Sequence, residues 1–214
     1  VRKTASRKAG HLELYARTDV LLAKGRDLDI VTQAELLDPH RPVHEDLLRA
    51  SYATYLAELV DRFVGEGEEH AEVYELFSGA LDAVCAPEMD APRLQMLARY
   101  YELHLLGLAG YQPQRSVCVD AREKIEPVDQ FFGVEEGGVL CPRCGPRHAR
   151  AVHLSLGALK TLRHLQRSTW VEVAGLRISA PVRGELERLL GRYVTHILER
   201  NLKSVEFLKL VRQQ

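Results

Sequence analysis

Apolar and polar residues alternate with period two at the start of the chain and with period 3.6 beyond residue 43. Leu12, Leu14 and Ala16 alternate with charged or polar neighbours, and Val20 to Ala23 continues the apolar content. Leu28, Ile30, Thr32, Ala34 and Leu36 then alternate with Asp29, Gln33 and Glu35. Period two predicts half-buried strands. Lys24-Gly25-Arg26-Asp27 lies between the runs as a hairpin turn, with Gly25 free to take positive φ. Two strands alone are marginal in water. Segment 1–38 therefore reads as an incomplete sheet whose earlier strands are missing.

Pro39 and Pro42 mark a boundary, and segment 43–112 has the helical period. Leu48, Tyr52, Tyr55, Leu56, Leu59, Val60 and Phe63 form one apolar stripe, ended by Gly65 and Gly67. A second helix spans about Glu69 to Val84, with Val73, Leu76, Phe77, Ala80 and Leu81 inward. A third uses Leu94, Leu97, Ala98, Tyr101, Leu105 and Leu108, with Gly110 as its C-cap. Three such helices with short loops predict a bundle. Segment 113–153 loses regular period and is rich in Gly and Pro. In segment 154–214 helices return, over Ser155 to Ser168 and then as one long helix from about Ala180 to the end. Ser179 is its N-cap and Pro181 sits in its first turn. The fold class is α+β.

Composition narrows the function. The chain has 214 residues, 46% hydrophobic and 28% charged, enough to bury a core. No apolar run approaches the ~18 residues of a spanning helix. Arg2, Lys3, Arg7 and Lys8 are not followed by an apolar stretch, so no secretory leader is expected. A net charge of -1 hides segregation. Residues 1–26 carry seven cations against two acids, while residues 58–90 carry ten acids against Arg62. The acidic run reads as a solvated face. The basic front is a candidate nucleic-acid surface.

Candidate chemistry is concentrated in the cysteines. Cys141-Pro142-Arg143-Cys144-Gly145 is a knuckle that points two thiolates at one tetrahedral ion, and Gly137-Gly138 fits a ribbon's chain reversal. Cys118 lies at a suitable distance for the other half, but Ala121 stands where a second C-x-x-C would end. One reading is a zinc site of Cys118, Cys141 and Cys144, with His148 as the nearest fourth ligand and Asp120 or water as others. A second is a degenerate knuckle that folds without metal. A redox pair is disfavoured, since no strand–helix pattern of the thioredoxin kind surrounds it. Cys85 reads as a small core residue, and His104 and His196 as core or rim residues. No P-loop, G-x-S-x-G or H-E-x-x-H occurs, and Gly65-Glu66-Gly67 follows a helix, not a strand. Arg143, Arg147 and Arg150 form a second basic patch, suited to DNA or an acidic partner tail, or else a solvated loop.

The order of these parts, with particular stretches, resembles the RecO family of bacterial recombination-mediator and DNA-repair proteins. The stretches are Ala9-Gly10-His11-Leu12-Glu13-Leu14, Gly25 to Glu35, Ala57 to Phe63, Leu103 to Pro113, Pro127 to Phe132, Gly137 to Cys144, and Glu199-Arg200-Asn201-Leu202-Lys203-Ser204. Each is weak alone; their order makes the match specific. The resemblance implies that 1–38 is the remainder of an N-terminal OB-fold, 43–112 the helical bundle, 113–153 a zinc-ribbon-like insertion and 154–214 helices closing on the bundle. It implies binding of single- and double-stranded DNA, strand annealing, and exchange of single-strand-binding protein for RecA together with RecR. It also implies docking of the acidic, apolar-ended tail of single-strand-binding protein on the helical part. No bond-making activity is expected. The family commonly has two C-x-x-C pairs, and Ala121 departs from that.

OB-folds hold strands with a basic groove and stacking rings. Arg2, Lys3, Arg7, Lys8, Lys24 and Arg26 are therefore the candidate phosphate contacts, and Tyr15 is the one aromatic of the β region available for stacking. The expected role is a non-catalytic DNA-repair mediator in the bacterial cytoplasm at the nucleoid, with zinc as a possible cofactor and no membrane partner. The rival from the residues alone is a zinc-ribbon helical interaction module that does not bind DNA.

Overall fold

A computed structural model describes residues 12–26, 28–65 and 70–212. The first described elements are strands β1 (Arg17–Ala23) and β2 (Ile30–Asp38), paired antiparallel with Val20 opposite Ala34. The hairpin forms as its alternation predicts, but β1 starts at Arg17, beyond Leu12 and Leu14. Tyr15, just before it, adopts a left-handed φ of 61°. Gly25 does not use positive φ. A Cβ there would lie 2.0 Å from the Leu28 carbonyl oxygen, so close approach of the turn is what requires glycine. Leu21, Leu22, Ile30 and Leu37 remain exposed, so the hairpin buries little of its own apolar content.

Helix α1 (Arg41–Glu45) is a single turn with Pro42 in its first turn, where a missing N–H costs nothing. Asp46 then caps α2 (Leu47–Phe63), accepting from the N–H groups of Leu48 at 2.8 Å and Arg49 at 3.0 Å. Helices α3 (Ala71–Cys85) and α4 (Ala91–Leu108) follow, the latter capped by Asp90. Tyr52, Leu56 and Leu59 of α2 meet Leu81 and Val84 of α3 and Leu94, Leu97, Tyr101 and Leu105 of α4 in one core. Each such fully buried side chain contributes roughly 1.5–3 kcal/mol. Gly110 ends this region with a φ of 83°, as its position predicts.

Residues 113–154 hold a three-stranded antiparallel sheet in the order β4-β3-β5, with β3 (Gln130–Gly133), β4 (Gly138–Leu140) and β5 (Val152–Leu154). Gly137, at φ 69°, turns the β3–β4 hairpin. Phe132 and Val139 are fully buried and tie the sheet into the same core as the helices.

Helix α5 (Leu156–Leu165) is capped by Ser155, and the short α6 (Trp170–Ala174) by a Thr169–Glu172 capping box. Helix α7 (Ala180–Leu198) starts at Ser179 with Pro181 in its first turn, although Ser179 makes no side-chain cap bond. The single long terminal helix is corrected. The chain breaks at Glu199, which takes a left-handed φ of 53°, and resumes as α8 (Lys203–Val211). The break folds α8 back onto α2. Glu58 there accepts from the Lys203 N–H at 3.0 Å, the Ser204 N–H at 2.8 Å and the Ser204 hydroxyl at 2.5 Å. A carboxylate thus caps a helix 145 positions away in sequence.

Candidate metal centre and cationic surfaces

The ribbon brings Cys118, Cys141 and Cys144 together, with their sulfurs within 4.8 Å of one another. Local geometry explains this. Cys118 begins a tight turn closed by Arg122, whose N–H reaches the Cys118 carbonyl at 2.9 Å and whose φ is 60°. The N–H groups of Cys144 and Gly145 both fold back to the Cys141 carbonyl, at 3.0 and 2.9 Å. Gly145 is required because a Cβ would meet the Phe131 ring at 2.2 Å. Backbone N–H groups of Ala121 and Cys141 point at the Cys118 sulfur, at 3.4 and 3.3 Å.

Burial opposes ionisation of Cys141, but hydrogen bonds from the Cys144 and Arg143 backbone and from the neighbouring thiols overcome it, bringing the thiol down to about 7. Burial and the adjacent Cys141 push Cys144 up to about 11. Cys141 therefore gives up its proton more readily than Cys144, and a divalent cation would stabilise the thiolate of either. The trio fits three corners of a zinc tetrahedron, whose ~2.3 Å Zn–S bonds separate sulfurs by about 3.8 Å.

At the fourth corner the expected candidates separate: the Asp120 carboxylate is in hydrogen-bond contact with the Cys144 thiol, whereas His148 does not join the thiol group. Its Nδ1 faces Glu136 at 2.5 Å and its Nε2 faces Asp120 at 3.4 Å. Two carboxylates thus hold the ring away from the sulfurs. Arg147 donates to the Cys144 sulfur at 3.0 Å and to Asp120 at 3.1 Å, so a guanidinium partly compensates the thiol cluster.

The predicted patch of Arg143, Arg147 and Arg150 is neutralised. Arg143 pairs with Glu123, Arg147 with Asp120 and Arg150 with Glu135. In the N-terminal part, Lys24 and Arg26 are exposed at the hairpin tip. Arg2, Lys3, Arg7 and Lys8 lie outside the described residues. Tyr15 is half-buried against the core and its hydroxyl bonds Thr54 at 2.9 Å. Here it works as an anchor between hairpin and bundle.

That anchor continues into a cluster the sequence reading missed. His40, 2% exposed, places Nδ1 2.6 Å from the Tyr15 carbonyl and Nε2 2.9 Å from Asp82. Arg17 bridges Asp82 at 3.1 Å and Asp38 at 3.7 Å. Asp38, His40 and Asp82 have metal-ligand proximity, but Arg17 already supplies the compensating cation. The group is a polar junction that ties β1 and β2 to α3.

A cavity of about 990 Å³ opens where α7 and α8 diverge. Arg188, Arg192 and Lys209 line it together with Leu202, Leu208 and Glu206, while Arg212 at its edge is paired with Glu187 at 2.5 Å. Arg99 and Tyr55 reach it from α4 and α2. Beneath, Arg99 pairs with Glu102, which also accepts from the Tyr55 hydroxyl. Glu102 is 1% exposed and its Oε2 finds no hydrogen-bond partner among the described residues. Burial raises its carboxyl to about 7 against the opposing pull of Arg99. Arg99-x-x-Glu102 inside a Leu-rich stripe was the available sequence signal.

Together these features define a helical scaffold with an inserted cysteine ribbon, a β-hairpin fixed to one side and an arginine-lined cavity. Residues 44–206 match the family described as Recombination protein O C terminal. The chain belongs to the RecO family of DNA repair and recombination proteins. It is 43% identical over 213 residues to a DNA repair protein RecO of Roseiflexus sp. (strain RS-1), covering 99% of this chain and 74% of the relative. A DNA repair protein RecO of Symbiobacterium thermophilum is 35% identical, covering 99% and 83%. One from Desulforamulus reducens is 32% identical, covering 96% and 78%. No helix of the described residues is long and apolar enough to cross a membrane.

Proposed function

We propose that this chain is a non-catalytic mediator of DNA repair. On this reading it binds single- and double-stranded DNA, anneals complementary strands and, with RecR, helps exchange single-strand-binding protein for RecA at the bacterial nucleoid. The hairpin β1–β2 belongs to an OB-fold, and the three cysteines hold a structural zinc. The observation that carries the proposal is the cavity between α7 and α8. Arg188, Arg192 and Lys209 suit the carboxylates of an acidic tail, while Leu202 and Leu208 suit its apolar end. That is the chemistry of the single-strand-binding protein tail, so the cavity offers a means of recruiting the mediator to coated strands.

The test is annealing of complementary strands coated with single-strand-binding protein, at two salt concentrations, beside binding of a fluorescent tail peptide. Salt-sensitive acceleration, with peptide affinity lost in Arg188→Glu, is expected. Peptide binding without any DNA binding or annealing would replace the proposal by an interaction module.

A further inference from the structure

Segment 113–115 runs across α5, held there by two side chains. Arg163 donates from Nε and a terminal nitrogen to the Arg115 carbonyl, at 3.0 and 2.8 Å. Gln166 donates to the Pro113 carbonyl at 3.3 Å. These clamps bring Arg115 beside Arg163 and Arg167. Arg167 is in turn steadied by its Nε, which donates to the Arg163 carbonyl at 3.0 Å. Lys160, Arg163 and Arg167 are spaced three and four apart, which puts them on one face as α5 ends.

Among the described residues no carboxylate pairs with Arg115, Arg163 or Arg167. Burial and then the neighbouring Arg167 and Arg163 lower the Arg115 pKa, and no carboxylate enters among the described residues. Burial and Arg167 do the same for Arg163. Every arginine of the nearby knuckle, by contrast, has its own acid. Holding like charges together costs folding energy, and neither a helix end nor the backbone clamp needs three guanidinium groups. A bound anion would offset that cost.

We propose that Arg115, Arg163 and Arg167, with Lys160 at the edge, form a phosphate-binding surface for the nucleic-acid backbone, separate from the β-hairpin and from the α7–α8 cavity. Exposed Arg167 and half-buried Arg115 contribute forks suited to phosphodiester oxygens, while Arg163 mainly positions Arg115. These four side chains supply charge without a stacking ring, so the surface follows the backbone whatever the sequence. The inference rests on the proposed DNA binding.

The experiment is fluorescence anisotropy of a labelled single-stranded oligonucleotide against the full chain, as wild type and as Arg115→Ala/Arg167→Ala, across a salt series. This pair leaves the Arg163 clamp in place, and circular dichroism confirms the fold. The double variant should bind about tenfold more weakly at low salt. The slope of log affinity against log salt should become shallower by about 1.4, since each single-strand phosphate contact contributes about 0.7. Arg167→Lys should keep most of the slope. An affinity and slope equal to wild type would overturn this surface while leaving DNA binding intact. Absence of binding by the wild type would instead remove the functional reading and this surface together. Loss of the acidic tail peptide, with DNA unaffected, would reassign the arginines to a protein partner and overturn the inference.

Discussion

Replacing Glu102 by glutamine should make stability respond differently to pH. The carboxyl is 1% exposed between Arg99 and the Tyr55 hydroxyl, and only Oε1 is engaged. Burial raises it from an ordinary 4.5 to about 7 despite Arg99. A group that holds its proton more tightly when folded stabilises the fold in acid. Its contribution is whole below the unfolded value near 4.5 and is lost as pH rises through about 7. The gap between those values corresponds to about 3 kcal/mol. The amide of the variant keeps the shape of the carboxyl and does not titrate. Urea denaturation of both proteins at pH 5, 6, 7 and 8 isolates this group, because the other titrations largely cancel. Wild type should lose about 2–3 kcal/mol relative to Glu102→Gln between pH 5 and 8. A difference that stays flat would mean that Arg99 and Tyr55 hold the carboxylate ionised throughout, and the argument from burial would be refuted.

Glu58→Ala should detach α8, since the carboxylate satisfies both leading N–H groups of that helix. A loss of about 1–2 kcal/mol is expected in denaturant, with faster amide exchange in Lys203–Val211 than elsewhere; unchanged protection there would refute it. The cysteine trio should retain about one zinc per chain on mass spectrometric assay, and Cys118→Ser should abolish it. Less than ~0.1 zinc per wild-type chain would favour a knuckle held by Arg147 and backbone N–H groups alone.

The legible parts of this fold were those governed by local periodicity. The stripes of α2 and α3 lie where the 3.6 period puts them, but α4 is buried nearly all round, with Arg99, Glu102, Leu103 and Leu106 also inside, and its expected core residue Leu108 is exposed. The hairpin was legible for the same reason, and the C-x-x-C drew Cys118 to itself as its spacing predicts. What failed to show was decided by partners distant in sequence. Leu198 to Leu202 contains neither Gly nor Pro, yet the helix breaks, because Glu58 and the core reward α8 for folding back. His148 is close to Cys144 in sequence, but Glu136 and Asp120 claim its ring. Tyr15 reads as a free aromatic until Thr54, 39 positions on, takes its hydroxyl.

Cationic surfaces obey the same rule, and it bears on the DNA binding proposed above. Arg143, Arg147 and Arg150 are dense in sequence but meet acids 20, 27 and 15 positions away, so most of their field is spent inside the ribbon. Arg115 and Arg163 lie 48 positions apart, yet they converge with Arg167 where no carboxylate answers among the described residues. Attraction for a polyanion follows uncompensated charge, not the number of arginines in a window. Screening at physiological salt confines that attraction to about 8 Å. A carboxylate in direct contact therefore cancels an arginine, whereas one lying beyond that length weakens its attraction only slightly. A chain of net charge -1 can accordingly hold a phosphate backbone wherever its fold separates cations from acids.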